Sequence, residues 1–430
     1  MEEEDSGEDL VPEVLDAEEN PDAAGDEDMP DVESTGSNED ALPEVDQGAF
    51  YHVLIRMSAA EVRNAAAVSR TVRDLVRTDA FRRDHHRHSS SHMPLFFYRY
   101  WDYYLPAVVV NLCFVDIAAR VARKVIYFAD APDPPIPSFD PRAFIIEGSC
   151  DGILLFSYRS RLYAFNPCTR HWGNLPPLHL TNEIVAFYGH GPLDNREYRV
   201  LYHPMEGQFD SRYWIFSPTF PDQPPRCIGR AVNMEVVDLS LERGITPSYE
   251  MPPVTVGQRL HWRPQIGQYN HNVLVFDTVA EVFDMIPPPR MLEGDLWVDV
   301  DGDQLLEIND KLAMTFISRE RVDVWVLQEG EVWAHQYQIP LPVPQLAIFE
   351  GYDDEGFLSA AVFAVSEQRN ALVQCPAIIL HCDTGGDVLK FYSRTGNLTV
   401  LSRYTLQESL LEHPFLPMRR SDINHPQFFL

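Results

Sequence analysis

The sequence predicts a mainly β protein, with a small N-terminal α-helical module followed by a β-propeller of about six blades. Three observations lead there. The 430 residues include 34 prolines and 22 glycines, and proline removes a backbone donor and breaks helices, which argues against a long bundle. After about residue 94 helical spacing gives way to short runs of Val, Ile, Phe, Tyr and Trp separated by Pro, Gly and Asp, the pattern of strands and turns. Within that region apolar anchors recur roughly every 50 residues. The length is too great for one ordinary core of about 150 residues, so several domains or one large repeat architecture is required.

Residues 1–46 hold 20 acids and no Lys or Arg. The chain as a whole has 65 acids and 34 bases, a formal charge of −31; beyond residue 46 there remain 45 acids and 34 bases, net −11. Residues 1–44 mix Glu, Asp, Gly, Pro and Ala with almost no aromatic content, so they bury too little apolar surface to offset chain entropy and are expected to be disordered. Such a tail serves as a lure for basic partners, as a negative shield against nucleic acid, or simply as a solubilising segment. The six cysteines, Cys113, Cys150, Cys168, Cys227, Cys375 and Cys382, form no C-x-x-C pair and fit a reduced compartment. The start MEEEDSGEDL has neither the basic residues nor the apolar run of a secretory signal, and no stretch reaches 18 apolar residues. Cytosol or nucleus is the expected location, with neither a membrane nor a nucleic acid as partner. Asn397-Leu398-Thr399 matches a glycosylation sequon and, without a secretory route, reads as an ordinary turn.

Between Gly48 and Arg83 the spacing is helical. Phe50, Val53, Leu54 and Met57 fall on one face, and Ser58-Ala59-Ala60-Glu61 has the form of a capping box, so one helix stops near Met57 and another starts at Ser58. In the second, Val62, Ala65, Val68, Val72, Leu75 and Val76 recur at steps of three and four, with Arg63, Arg70, Arg73, Asp74 and Arg77 between them. This apolar stripe needs a cover, either a separate partner or the domain that follows.

The β region is organised by anchors at Phe114, Phe165, Phe216, Phe276, Val326 and Phe391, separated by 51, 51, 60, 50 and 65 residues. Seven residues after five of them stands another apolar residue, Val121, Trp172, Phe283, Trp333 or Leu398, whereas the Phe216 unit has Gln223. Strand, turn and return strand make a hairpin, as in RLYAFNPCTRHWGNLP. One hairpin cannot bury its own face, but blades stacked around a ring can, and closure protects their edges. A sandwich lacks this longer period.

Local chemistry motifs are weak. Asp299-Val300-Asp301-Gly302-Asp303 places its glycine at loop position four where an EF-hand needs position six, so an Asp-Gly turn between strands is the better reading. His85, His86, His88 and His92 suit a metal or the C-terminal end of a helix, which favours positive charge. Gly189-His190-Gly191-Pro192 lacks the Lys and Ser/Thr of a phosphate loop, and no G-x-S-x-G or H-E-x-x-H occurs. His381 and Cys382 are adjacent on a strand and point to opposite faces, which argues against a thiolate pair. No catalytic residue, metal or cofactor is nominated.

Two segments resemble known families. VLIRMSAAEVRNAAAVSRTVRDLVRTDAF, residues 53–81, resembles an F-box, the helical motif that docks receptor subunits onto the Skp-family adaptor of cullin-RING ubiquitin ligases. Leu42-Pro43 resembles its opening Leu-Pro, about three residues early; Ser58 stands where Pro is usual, Ser69 where Cys is frequent and Val72 where Trp is usual. The Trp-to-Val difference alone is worth on the order of 1 to 3 kcal/mol at a buried contact. GSCDGILLFSYRSRLYAFNPCTRHWGNLPPL, residues 148–178, followed by YGHGPLDNREYRVLYH, residues 188–203, is similar to the F-box-associated domain of plant F-box proteins, a kelch-related, propeller-like receptor domain.

The resemblance implies residues 45–92 as an F-box-like domain and 93–420 as the receptor domain, with 421–430 as a C-terminal tail. It implies a substrate-recognition subunit that binds the adaptor, and through it a cullin, by Leu42, Pro43, Val53, Leu54, Met57, Val62, Val68, Val72 and Leu75, while the β domain binds a target protein without chemistry of its own. Gly148, Gly152, Asn166, Pro167 and Trp172 are its structural signature: glycines for tight turns, Asn-Pro for a hairpin turn, Trp172 for packing between blades. The rival reading is a propeller interaction scaffold independent of any adaptor, and a propeller enzyme comes third.

Overall fold

The computed structural model describes residues 47–89, 92–102, 107–116, 120–130, 144–158, 161–176, 178, 182–204, 212–230, 252–263, 272–289, 304–317, 321–342, 361–365, 370–374, 379–383, 385–392, 398–419 and 428–429. The acidic tail, Leu42, Pro43 and Asp299–Asp303 lie outside these. Four helices come first: α1 (Gln47–Leu54), α2 (Ala59–Val68), α3 (Arg70–Val76) and α4 (Asp79–His88). The capping box is present, with Ser58 N–H donating to Glu61 Oε2 at 2.8 Å and Glu61 N–H to Ser58 Oγ at 3.3 Å. The single helix expected from Ser58 to Val76 is instead two. Ser69, in extended backbone, closes α2 and opens α3 by accepting from Val72 N–H at 3.4 Å. Its hydroxyl offers the backbone an alternative to the helical ladder, an option hidden from the apolar spacing.

The β region forms six sheets among the described residues. The first contains β1 (His92–Asp102), β2 (Ala107–Asp116) and β3 (Val121–Asp130), and the second β4 (Phe144–Cys150), β5 (Ile153–Tyr158), β6 (Arg161–Asn166) and β7 (His171–Leu175). The third runs β8 (Asn182–His190), β9 (Glu197–Pro204), β10 (Arg212–Phe216), β11 (Arg226–Arg230), and the fourth β12 (Val254–Val256), β13 (Arg259–Trp262), β14 (Val273–Asp277), β15 (Val282–Ile286). The fifth is β16 (Gln304–Ile308), β17 (Lys311–Ile317), β18 (Arg321–Gln328), β19 (Val332–Pro340), and the sixth β20 (Ala361–Val365), β21 (Ala371–Gln374), β22 (Ile379–Cys382), β23 (Val388–Tyr392). After these, β24 (Leu398–Gln407) returns to the first sheet as its inner strand, giving the order β24-β1-β2-β3.

Five first strands touch the first strand of the next blade around a ring: β24 meets β4, β4 meets β8, β12 meets β16, β16 meets β20 and β20 meets β24. The third and fourth blades join through Tyr188, Leu201, Leu260 and Phe276. This is a six-bladed β-propeller closed by β24. Two short strands follow the closure: β25 (Met418–Arg419) lies on β7, and β26 (Phe428–Phe429), within the segment set apart as a tail, lies on β3.

The apolar runs follow from this architecture. A strand sandwiched between two blades is buried on both faces, so Ile153 and Leu155 pack toward the third blade and Leu154 and Phe156 toward the first. Val273 and Val275 likewise face the fifth blade, Leu274 and Phe276 the third. Five anchors sit on third strands: Phe114 on β2, Phe165 on β6, Phe216 on β10, Phe276 on β14 and Val326 on β18. Phe391 does not; it lies on the fourth strand, β23, opposite Leu380 of the true third strand, which explains the long last interval. Trp172 lies directly opposite Phe165, and Phe283 opposite Phe276, while Trp333 opposes Leu327 rather than Val326. Among the described residues no helix is long and apolar enough to cross a membrane.

Candidate functional site at the junction of helices and propeller

The helices sit at one end of the propeller, on turns that join first to second and third to fourth strands. Their apolar stripe has a cover already: Leu54, Ile55, Ala59, Val62, Val72 and Phe81 form one buried cluster with Cys168 of the β6–β7 turn and Leu410 after β24. Of the residues expected to face an adaptor, Leu54, Val62 and Val72 are therefore internal, and Met57 and Leu75 are half-buried against the same cluster. Val53 and Val68 face outward, 59% and 88% exposed, with Arg56, Arg70, Arg73 and Arg77 exposed around them.

The end of β24 and the segment after it strap the helices down. Gln407 Nε2 donates to the carbonyls of His86 (3.1 Å) and Ser89 (2.7 Å), and Glu408 Oε2 accepts from Ala59 N–H at 2.8 Å. Arg82 pairs with Glu412 at 2.9 Å, and Arg63 donates to Cys168 O at 2.9 Å. The signature residues act here. Asn166 holds its own turn by accepting from Cys168 N–H (2.9 Å) and Thr169 N–H (3.2 Å), while its Nδ2 donates to Ser409 O and Leu411 O at 3.1 and 3.2 Å. Pro167 opens the same turn. Gly152 has φ +81°, and a Cβ there would come within 2.4 Å of Ser409 Cβ; one on Gly148 would come equally close to Phe187 of the next blade. Trp172 packs between the first two blades.

At the centre lies Asp151, which sequence reasoning passed over. Asp151-Gly152 is the two-residue turn between β4 and β5, both at positive φ as in a type I′ hairpin. That turn presents a nearly buried carboxylate to three elements at once. Arg196 Nη1 donates to both its oxygens at 2.7 and 2.8 Å, Tyr198 OH donates at 3.0 Å, and His86 Nε2 of α4 lies 3.4 Å away. Burial would raise its pKa, but the hydrogen bond from His86 and the charge of Arg196 outweigh that and hold the carboxyl well below the usual range. Arg83 adds a bridge to Asp194 at 2.9 Å. A pairing of Asp-Gly with an Arg about 45 residues on has no local signal in sequence.

Around the carboxylate the groups are set for structure. Burial pushes the Cys168 thiol up to about 12 and the Cys150 thiol in the same direction, away from thiolate chemistry. Burial lowers His413, edge-on to Tyr198 at 5.0 Å, to about 4 and also lowers His85, whose Nε2 meets Met57 O at 2.9 Å. The histidines of α4 diverge: His85 faces the helices, His86 faces Asp151, and His88 Nδ1 meets Asp84 O at 2.8 Å. Among the described residues no three metal-ligating side chains gather. The site fastens two parts into one body, Gly48–Leu430.

No protein-family model matches the chain, and no curated protein matches it. Solved structures are similar at low identity. TolB from Acinetobacter baumannii aligns at 11% identity and TM-score 0.34, over 73% of this chain and 65% of that one. The dihydro-heme d1 dehydrogenase NirN aligns at 12% and 0.27, over 67% and 55%, and a hypothetical selenium-binding protein from Sulfolobus tokodaii at 8% and 0.34, over 76% and 98%. At these scores the likeness carries no argument, and the propeller rests on strand order and closure.

Proposed function

We propose that this chain is a non-catalytic receptor subunit of a cullin-RING ubiquitin ligase, with its helices carrying a Skp-family adaptor and its propeller a target protein. The observation that carries this reading is the polarity of the molecule. The helices are fastened at one end with Val53 and Val68 outward. The fourth strands β3, β11 and β19 end, and the first strands β4, β12 and β20 begin, at the end of the ring opposite the helices. A receptor needs two opposed binding ends held at fixed separation, and loops on a rigid scaffold are where recognition concentrates. The F-box resemblance of residues 53–81 supplies the identity of the first partner.

The test is coprecipitation with a recombinant Skp-family adaptor. Val53→Asp with Val68→Asp leaves the melting temperature within a degree or two, because both residues are exposed, and weakens adaptor binding at least tenfold. Leu54→Asp, at a 2% exposed position, disrupts the helices themselves and so does not probe docking. Undiminished binding by the double variant overturns the reading. The packing of the stripe on Cys168 and Leu410 favours a second reading, an adaptor-independent interaction scaffold; full-length protein that captures a target but no adaptor would support it.

A further inference from the structure

The outer strands of the six blades differ in how they are protected. Two are covered by the chain itself: β25 adds to β7 and β26 to β3, both antiparallel. β26 pairs at Tyr127 and Phe128, beside a bulge at Val125 where the β2–β3 register shifts. An outer edge of this molecule thus accepts a two-residue extended segment next to a bulge. The other four edges, β11, β15, β19 and β23, end their sheets among the described residues. Three carry the devices by which natural edges refuse a neighbour. β11 carries the exposed Arg226. In β15 the Asp284 carboxylate takes the Met285 N–H at 2.8 Å. β23 carries the exposed Lys390.

β19 is different. At nine residues, VWAHQYQIP, it is the longest of the four, and it contains no Asp, Glu, Lys or Arg. Its guards are a bulge at Gln336, the feature that β3 tolerates beside an added strand, and a proline at its end. Val332 is 63% exposed, and His335, Gln336 and Gln338 are exposed. At its head the turn carries Glu329 and Glu331, both exposed and without an ion pair among the described residues.

We propose that β19 is a strand-addition site for an extended, uncharged, β-forming segment of a partner protein, running antiparallel and ending in basic residues beside Glu329 and Glu331. Main-chain hydrogen bonds supply affinity, and the two carboxylates fix direction, because the C-terminal end of an antiparallel segment meets the head of β19. The antiparallel sense is that of both strands already added. A second copy of the chain is the poorer occupant: self-pairing centred on Gln336 sets Leu341 opposite Glu331, leaving the carboxylates unanswered between two chains of charge −31. The site stands independently of what the helices bind.

The probe is a synthetic peptide of alternating valine and threonine closing on two lysines, added to the full chain and followed by hydrogen exchange and fluorescence anisotropy. The amides of 332–339 that face away from β18 should gain at least tenfold protection. The same peptide with N-methylated backbone keeps the charge and loses the ladder, and should bind at least tenfold more weakly. Glu329→Lys with Glu331→Lys, both in an exposed turn, should reverse the preference toward a peptide closing on two glutamates. Equal binding by the N-methylated peptide, protection confined to other segments, or concentration-dependent self-association that protects 332–339 without peptide would each overturn the proposal.

Discussion

Asp151 and Glu408 are two nearly buried carboxylates with opposite energetic signs. Asp151 is answered by Arg196, Tyr198 and His86, so its charged form is favoured in the fold. Removing that charge leaves the Arg196 guanidinium without its counter-charge, and Asp151→Asn should cost on the order of 3 kcal/mol, seen as a lower urea midpoint. Glu408 is raised by burial, only partly offset by the Ala59 N–H it accepts. Glu408→Gln keeps the acceptor and loses the buried charge, and should be neutral or stabilising by up to about 1 kcal/mol at pH 7. The histidines set the acid side. His413 is lowered by burial, so the stability it contributes is complete above pH of about 6.5 and is lost as pH falls toward about 4; His85, also lowered by burial, acts in the same direction. For His413 alone the loss at pH 5 is about 2 kcal/mol. Asp151 contributes nothing to this window, since its stabilisation is lost only below the ordinary carboxylate range, and Glu408 acts in the opposite sense. Urea melts at pH 7 and 5 should show the fall, and His413→Phe should shrink it.

Among elements, the hairpins were the most legible in sequence, because their apolar residues are fixed by direct cross-strand pairing. Phe165 with Trp172 and Phe276 with Phe283 are opposite one another. The two hairpin tryptophans are not equivalent. Trp172 is buried between the first two blades, whereas Trp333 is half-buried and bonds through Nε1 to Pro287 O at 2.8 Å. Trp172→Ala should cost about 3 to 5 kcal/mol, and Trp333→Ala clearly less; equal losses of melting temperature would contradict this placement. The helices were legible in extent and at the Ser58 cap, but the break at Ser69 was not, since one hydroxyl decides it. The sixth anchor failed for a related reason: Phe391 and Leu380 are cross-strand partners of similar character, and spacing alone does not say which strand is third.

For the whole molecule, sequence periodicity carried the blade number because each blade repeats the same burial problem. Closure by β24 and the strap from Gln407 to Leu416 were not legible, since they depend on contacts over 300 residues apart, such as Gln407 with His86. The same distance hid Asp151, whose role exists only once two blades, α4 and the strap converge. Such long-range fastening makes the helices and propeller one cooperative body, the property on which a receptor with two fixed ends depends. Native-state hydrogen exchange on the full chain tests this most directly. Amides of Ala59–His88 should exchange as slowly as those of β4 and β24 and should loosen together with them in Asp151→Asn. Fast exchange of the helices as a separate unit, unchanged by Asp151→Asn, would contradict it.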